Sequence, residues 1–310
     1  VKVIENARET EVEFPHVVLT VGSFDGVHLG HRRVLDELVR VAGENRGTAA
    51  VLTMRPHPRE FFSPGYAPNL LTSDDTKLRL LEEAGVEVAF LLGFAREVAN
   101  LNPDAFVEEI ILRRCRARTV IVGHDFRFGK HAAGNYEFLK QVAPAHGFEV
   151  RQVAPLIIEG ERVSSTLIRE RILQGDLDKA EAFLGRKYSV VGEVIPGRGI
   201  GAELGFPTAN IEPRHSAVPA QGVYVAEAHT QGRRHRAAVN IGIAPTIRQE
   251  DIIIEAFLLD FHEDILGSDI EVVFHKRLRS ELKFSSHEEL AQQIRQDVDE
   301  VRRYFLQNQK

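Results

Sequence analysis

Residues 17–41, VVLTVGSFDGVHLGHRRVLDELVRV, change periodicity in mid-course, and this change restricts the fold more than any other stretch. Positions 17–21 form a continuous apolar run of strand type, bounded by Gly22, Asp25 and Gly26. From Gly30 the period becomes helical. Val34, Leu35, Leu38, Val39 and Ala42 fall on one face, while Arg32, Arg33, Asp36, Glu37 and Arg40 lie off it. A strand, a glycine-bearing turn and a helix therefore follow one another, with His28 and His31 where turn becomes helix. Open backbone N–H groups at a helix N-terminus favour an anion, most often a phosphate. Two histidines three apart have other readings, as a metal pair or as polar residues at a helix start. The metal reading needs further ligands. The single cysteine, Cys115, stands in an arginine-rich stretch with no ligand spacing around it.

The same alternation continues. Strands are predicted at 16–22, 48–54, 86–93, 119–123 and 148–153, with helices at 30–42, 75–84, 103–114 and 135–146. Asn102 before Pro103 reads as a cap followed by a proline at the first helical position. Alternating strands and helices imply a parallel sheet with helices on both faces, and ligands bind beyond the carboxyl ends of such strands. The segments 22–31, 54–58 and 123–129 all follow strands and should converge on one cleft. Two short helices are expected at 164–173 and 176–184, then a linker at Gly185-Arg186-Lys187. Beyond it the texture turns all-β, with strands at 188–195, 223–230, 235–242, 252–261 and 270–278, which suggests a small barrel. A last helix opens with the capping pair Ser286 and Glu289 and buries Leu290, Ile294, Val298, Val301 and Phe305. The expected domains are 1–184 and 185–310.

Bulk properties exclude several classes. A chain of 310 residues, 43% apolar and 27% charged, reads as an ordinary globular protein of two domains. Its net charge of −6 opposes a general nucleic-acid binder. One cysteine rules out an intramolecular disulfide framework and fits a reducing compartment. With no apolar run of membrane-spanning length and no signal-type segment at the start of the sequence, a cytoplasmic location is expected.

The string GSFDGVHLGH, carrying Gly22, Phe24, Asp25, Gly26, His28, Gly30 and His31, resembles the signature of the HxGH nucleotidyltransferases in the form found in bacterial FAD synthetases. That resemblance implies a Rossmann-like domain in which the two histidines hold the phosphates of ATP, with Gly22, Ser23, Phe24 and Asp25 beside them. Pro56-His57-Pro58 followed by Phe61 and Phe62 is, by itself, a stiff turn with aromatic anchors. It resembles the family's PHP stretch, which implies flavin contacts for Pro56, Pro58 and Phe62. Asp125 could be a cap or a turn residue. The segment 123–129 resembles VGxDFRFG, implying that Asp125 meets the nucleotide and Phe128 stacks near the flavin.

Hydroxyls at 164–166 suit a helix start, but Arg169 in the first turns is unfavourable to the helix dipole unless an anion lies close by. The string is similar to the family's SSTxIR motif, which assigns Arg162, Ser165, Thr166 and Arg169 to ATP. The implied reaction is attack of an FMN phosphate oxygen on the α-phosphorus of ATP, with pyrophosphate leaving. His28, His31, Arg169 and Mg²⁺ would neutralise the charge.

In the second half, Gly197-Arg198-Gly199-Ile200-Gly201 runs into GFPTAN at 205–210, with neither a Walker A pattern nor GxGxxG in a strand–turn–helix setting. Alternate glycines permit a loop whose backbone approaches phosphates. Glu255 interrupts the apolar run 252–259. An unpaired carboxylate buried there would cost roughly several kcal/mol, so it should meet a cation, a ligand or solvent. GFPTAN resembles the riboflavin kinases, and this implies a six-stranded barrel. In it Thr208 and Asn210 hold Mg²⁺ with ATP, and Gly197, Gly199 and Gly201 form a flap. The resemblance further implies that Glu255 takes the proton from the ribityl 5′-hydroxyl as that oxygen attacks the γ-phosphate, and that Arg279 lies near the flavin or its new phosphate. Asn240-Ile241-Gly242 with Pro245-Thr246, and the segment 279–284, match the same module. Phe257 stands where the family often has histidine, and Leu266 where many members have an aromatic.

The two modules together imply a bifunctional riboflavin kinase and FMN adenylyltransferase that takes riboflavin to FMN and then FAD, with ATP as co-substrate. Rival readings are a chain with one activity, a flavin- or nucleotide-sensing regulator, and RNA binding by the clusters 113–118 and 233–236. Net charge opposes the last. Expected partners are small molecules, with neither nucleic acid nor membrane, and self-association is left open.

Overall fold

The computed structural model describes residues 1–5, 14–62, 69–197, 199–214, 217–245 and 250–308. Arg198 of the glycine loop and Thr246 after Pro245 lie outside them. Contacts divide the chain into two compact units, Val1–Pro68 with Asp74–Ser165, and Asn69–Ser73 with Thr166–Lys310.

In the first unit, six parallel strands form one sheet: β1 (Lys2–Glu5), β2 (Val17–Val21), β3 (Thr48–Arg55), β4 (Val88–Gly93), β5 (Ala117–Gly123) and β6 (Glu149–Val153). Their order across the sheet is β1-β4-β3-β2-β5-β6. Alternation along β2 separates two cores. Val17, Leu19 and Val21 pack with Phe106, Ile110 and Leu139, while Val18 packs on the other face with Leu35, Leu38 and Leu81. Each such fully buried side chain contributes about 1.5–3 kcal/mol relative to exposure. The first helix, Leu29–Glu44, buries Val41 with Val34, Leu35, Leu38 and Ala42. Val39, expected on that stripe, packs at its margin.

The helix at 103–114 is present, capped by the Asn102 side chain, which accepts the Ala105 N–H at 2.8 Å. From Phe106 to Arg114 it widens to π-helical hydrogen bonding. Strand order reverses at β2: β3 and β4 lie to one side of it, β5 and β6 to the other. The turn after β2 therefore stands at the topological switch point, where such sheets take their ligands.

In the second unit, the helix continuing from Thr166 and the helix Leu177–Leu184 precede a closed antiparallel barrel. Its strands are β9 (Ser189–Ile195), β10 (Ala209–Pro213), β11 (Gly222–Thr230), β12 (Arg233–Pro245), β13 (Glu250–Leu258) and β14 (Asp269–Arg279), after a two-residue hairpin, β7 (Ile157–Ile158) and β8 (Glu161–Arg162), in the first unit. Strand β10, inside the stretch read from sequence as a loop motif, completes the six. Tyr224 and Phe274 meet edge to face inside it at 5.4 Å.

The helix His287–Gln307 closes the chain. Ser286 accepts the Glu289 N–H at 3.2 Å as expected, but the Glu289 carboxylate turns back to Ser285, whose N–H and hydroxyl it accepts at 3.0 and 2.7 Å. Its buried residues are Ala291, Asp297, Val298 and Val301, and the presence of Asp297 among them departs from the expected apolar stripe.

Candidate active sites

The first site is built by one turn. Gly22 continues the sheet by donating to Leu52 O at 3.0 Å, and the chain then bends through positive φ at Phe24 (49°), Gly26 (82°) and Val27 (37°). A β-branched residue in this region is a true outlier, and such conformations cluster at functional sites. The bend places His28 at the N-cap of the helix Leu29–Glu44, where its Nδ1 accepts the His31 N–H at 3.1 Å. That bond leaves the proton on Nε2.

The His28 and His31 rings stack at 3.6 Å, and Phe24 lies 5.1 Å from His31. Burial, then the neighbouring His28, holds the His31 imidazole well below its ordinary pKa. Its Nδ1 has no hydrogen-bond partner. Gly30 is required by this packing: a Cβ there would stand 3.0 Å from His28 Cε1 and 3.1 Å from Nδ1. Asp25 is buried, and its carbonyl accepts the Ser165 hydroxyl at 2.9 Å.

Beside this turn, starting at Val21, a cavity of about 760 Å³ is lined by Met54, Pro58, Phe61, Phe62, Phe94 and Phe126, among others. Phe62 is exposed and meets Phe61 and Phe94 edge to face. His57 caps the short helix Pro58–Phe62 by accepting the Arg59 N–H at 3.2 Å, and Pro56 precedes it in a cis peptide. Phe128 lines the cavity but is itself buried, with Phe126 stacked on it at 5.4 Å. Phe126 is thus the more accessible ring, and the sequence pattern singles out neither it nor Phe94. Neither histidine lines this cavity. Asp125 is exposed and ion-paired to Arg162, which also meets His124 at 3.2 Å. Thr166 and Arg169 fall in the second unit. Thr166 is exposed, whereas Arg169 is buried and donates from Nε to Asn69 O at 2.8 Å.

The second site is assembled by strand register. Asn210 pairs with Glu255, Glu255 with Asn240, Asn240 with Val223, and Val223 with Arg279. Residues paired across strands share a face, so these five form one row. Ile254, Ala256 and Leu258 fill the barrel interior, which puts Glu255 on the outer wall, half-buried. The run is apolar on both faces, as read from the sequence, but the carboxylate is not sealed inside the barrel. The outer face is apolar because Phe257 packs there against Phe206 and the C-terminal helix, while Glu255 itself accepts the Asn240 amide at 3.5 Å.

The glycine loop folds down onto the same region. A Cβ on Gly197 would lie 1.9 Å from Asn210 Nδ2, and one on Gly201 would lie 2.5 Å from Phe206 O and 3.3 Å from Thr208 Oγ1. Gly199, at φ 76°, starts the single turn Ile200–Glu203. Arg279 directs its fork at Asp297, with Nε at 3.0 Å and Nη2 at 2.7 Å, and donates from Nη1 to Ser280 O. Leu266 is exposed.

Comparison with known proteins agrees with this division. A family model for FAD synthetase matches residues 11–167, and one for riboflavin kinase matches 184–305. Curated proteins named bifunctional riboflavin kinase/FMN adenylyltransferase are similar along almost the whole chain. The one from Haemophilus influenzae is 36% identical, over 93% of this chain and 94% of its own. That from Escherichia coli K12 is 35% identical (93% and 92%), and that from Bacillus subtilis 34% (93% and 92%). A crystal structure described as a macrolide-efflux protein from Streptococcus pneumoniae has the same architecture, with a TM-score of 0.88 and 29% identity over 97% of this chain and 99% of that one. Among the described residues no helix is long and apolar enough to cross a membrane. With both family models matched and the full-length relatives carrying one name, the chain belongs to the bifunctional riboflavin kinase/FMN adenylyltransferases.

Proposed function

We propose that the two activities are carried by separate residue sets, FMN adenylylation by the histidine turn and riboflavin phosphorylation by the outer row of the barrel. The observation that supports this most is the row itself, which puts Asn210 and Glu255 side by side under the glycine loop. The proposed domains are 1–184 and 185–310. The riboflavin kinase model, which begins at 184, and the left-handed Gly185 that ends the helix Leu177–Leu184 support a boundary there, whereas the FAD synthetase model ends at 167 and contacts group Thr166–Leu184 with the barrel.

At the first site His28 Nε2–H, the uncharged His31 and the N-terminus of the helix receive ATP phosphates. Gly22, Ser23, Phe24, Asp25, Asp125, Arg162, Ser165, Thr166 and Arg169 complete the nucleotide contacts. The aromatic cavity takes the flavin, with Pro56, Pro58, Phe62 and Phe128 around it. An FMN phosphate oxygen attacks the α-phosphorus, the bond to the β-phosphate oxygen breaks, and pyrophosphate leaves. No protein nucleophile takes part, and the residues position and neutralise.

At the second site Glu255 takes the proton of the ribityl 5′-hydroxyl as that oxygen attacks the γ-phosphorus of ATP and ADP leaves. The Thr208 hydroxyl and the Asn210 amide oxygen are hard donors that fit Mg²⁺. The described residues contain no group of three or more His, Cys, Asp or Glu able to hold a metal. Such a site suits an ion that keeps most of its shell for phosphates and water. When bound, Mg²⁺ would offset the charge on the ATP phosphates. A cytoplasmic location fits the ATP requirement and the lone buried Cys115.

The test supplies purified protein with riboflavin, ATP and Mg²⁺ and separates the products by chromatography. FMN followed by FAD is expected. A paired loss of both products in folded Glu255→Gln, with FMN supplied for the second step, would refute separate sites.

A further inference from the structure

The helix His287–Gln307 packs on the barrel through Val298 and Val301, yet Asp297 is buried beside them at 5% exposure. Its two carboxylate oxygens are fully engaged. They accept Arg279 Nε at 3.0 and 3.3 Å, Arg279 Nη2 at 2.7 Å and Gln293 Nε2 at 3.0 Å. Arg279 in turn is anchored through Nη1 to Ser280 O at 3.0 Å, and its side chain keeps 20% of its surface exposed.

A buried pair of this kind adds little net stability over an apolar replacement of the same volume, so folding alone does not account for it. Its place in the barrel suggests a use. Arg279 stands three strands along the outer row from Glu255, by way of Asn240 and Val223. At the spacing of neighbouring strands that is about 14 Å along the wall. This separation matches a flavin lying along the row, with its ribityl hydroxyl at Glu255 and its ring at Arg279.

We infer that Asp297 is a positioning residue of the kinase site, fixing the Arg279 guanidinium so that its exposed edge donates to the hydrogen-bond-accepting edge of the flavin ring. The inference rests on the reading of Glu255 and Arg279 under Proposed function. It makes the C-terminal helix part of the riboflavin site, although the motif segments 197–210, 240–246 and 279–284 all lie outside that helix. A fork held in advance loses less freedom on binding than a loose arginine, which favours affinity rather than the chemical step.

The test is steady-state phosphorylation of riboflavin by the full chain carrying Asp297→Asn. The KM for riboflavin should rise about 10- to 100-fold, the range for one hydrogen bond to a charged group, while the KM for ATP stays put. Adenylylation of supplied FMN should be unchanged. In an Arg279→Ala background the second substitution should add nothing. An unchanged riboflavin KM in Asp297→Asn, or effects that multiply undiminished in the double variant, would overturn the inference. If Asp297→Asn melts below the assay temperature, Asp297→Glu keeps the charge on a longer arm. A folded variant with a raised riboflavin KM is then expected, and wild-type KM overturns the proposal. Failure of the underlying reading looks different, because Glu255→Gln would then phosphorylate riboflavin at the wild-type rate.

Discussion

The two proposed sites of this chain would solve one problem, holding anionic ligands in line, by opposite constructions. The histidine turn is local: ten residues, 22–31, supply the bend, the cap, the stacked rings and the helix terminus. The proposed barrel site is distributed, with Asn210 on β10, Glu255 on β13, Asn240 on β12 and Arg279 on β14 brought into one row by pairing, and Thr208 just before β10. The local site depends on backbone conformation and desolvation, and the distributed one on register. Damage should accordingly spread differently in each.

Several substitutions and one change of conditions sharpen or break that contrast. The largest effect is expected from Glu255→Gln, where removing the proposed general base should slow riboflavin phosphorylation about 10²- to 10⁴-fold while adenylylation of supplied FMN is untouched. A product assay on each reaction separates the two. Gly197→Ala comes next. With a Cβ 1.9 Å from the Asn210 amide, the loop or the amide must move, and a displacement of about 1 Å can cost up to about 10²-fold in kinase rate. Gly30→Ala, with contacts of 3.0–3.1 Å to the His28 ring, should instead slow adenylylation alone and by less.

A further test concerns pH. Because burial lowers the His31 pKa, the unfolded chain takes up that proton first as pH falls through about 6.5. The first unit should therefore lose stability below that value and gain none above it, as read by melting at a series of pH values. An adenylylation profile with a histidine ionisation between about pH 6.5 and 8 would contradict the neutral ring. The smallest effect is expected for Asn240→Ala. Its contact with Glu255 is long, at 3.5 Å, so the kinase rate should fall only by the equivalent of about 1 kcal/mol or less.

The same contrast explains what is legible in the sequence. The histidine turn announces itself because every part of it lies within one stretch, and the parallel sheet around it follows from alternating periods. Strand β10 is hidden inside GFPTAN and its continuation to Pro213, a segment too short and too polar to show a period. Glu255 reads as part of an apolar run because Phe257 faces Phe206 and the C-terminal helix, so both faces of β13 carry apolar residues for different neighbours. No one-dimensional pattern distinguishes a barrel interior from a wall covered by a helix. Asp297 is inconspicuous for a related reason: an acidic residue in an amphipathic helix reads as solvated until its partner on another strand is seen. Phe126 and Phe128 look alike in one dimension, and only packing shows which ring is covered.

Closure of the barrel has a consequence for how this chain can vary. With β9 and β10 paired, no strand has a free edge along which to slide. A single residue inserted within Glu250–Leu258 would exchange the places of Glu255 and Ile254, sending the carboxylate inward and the isoleucine out. Along that strand the alphabet can change letter by letter, but the count of letters is frozen. The tight turn at Gln231 and Gly232, joining β11 to β12 far from the row, is where length can drift.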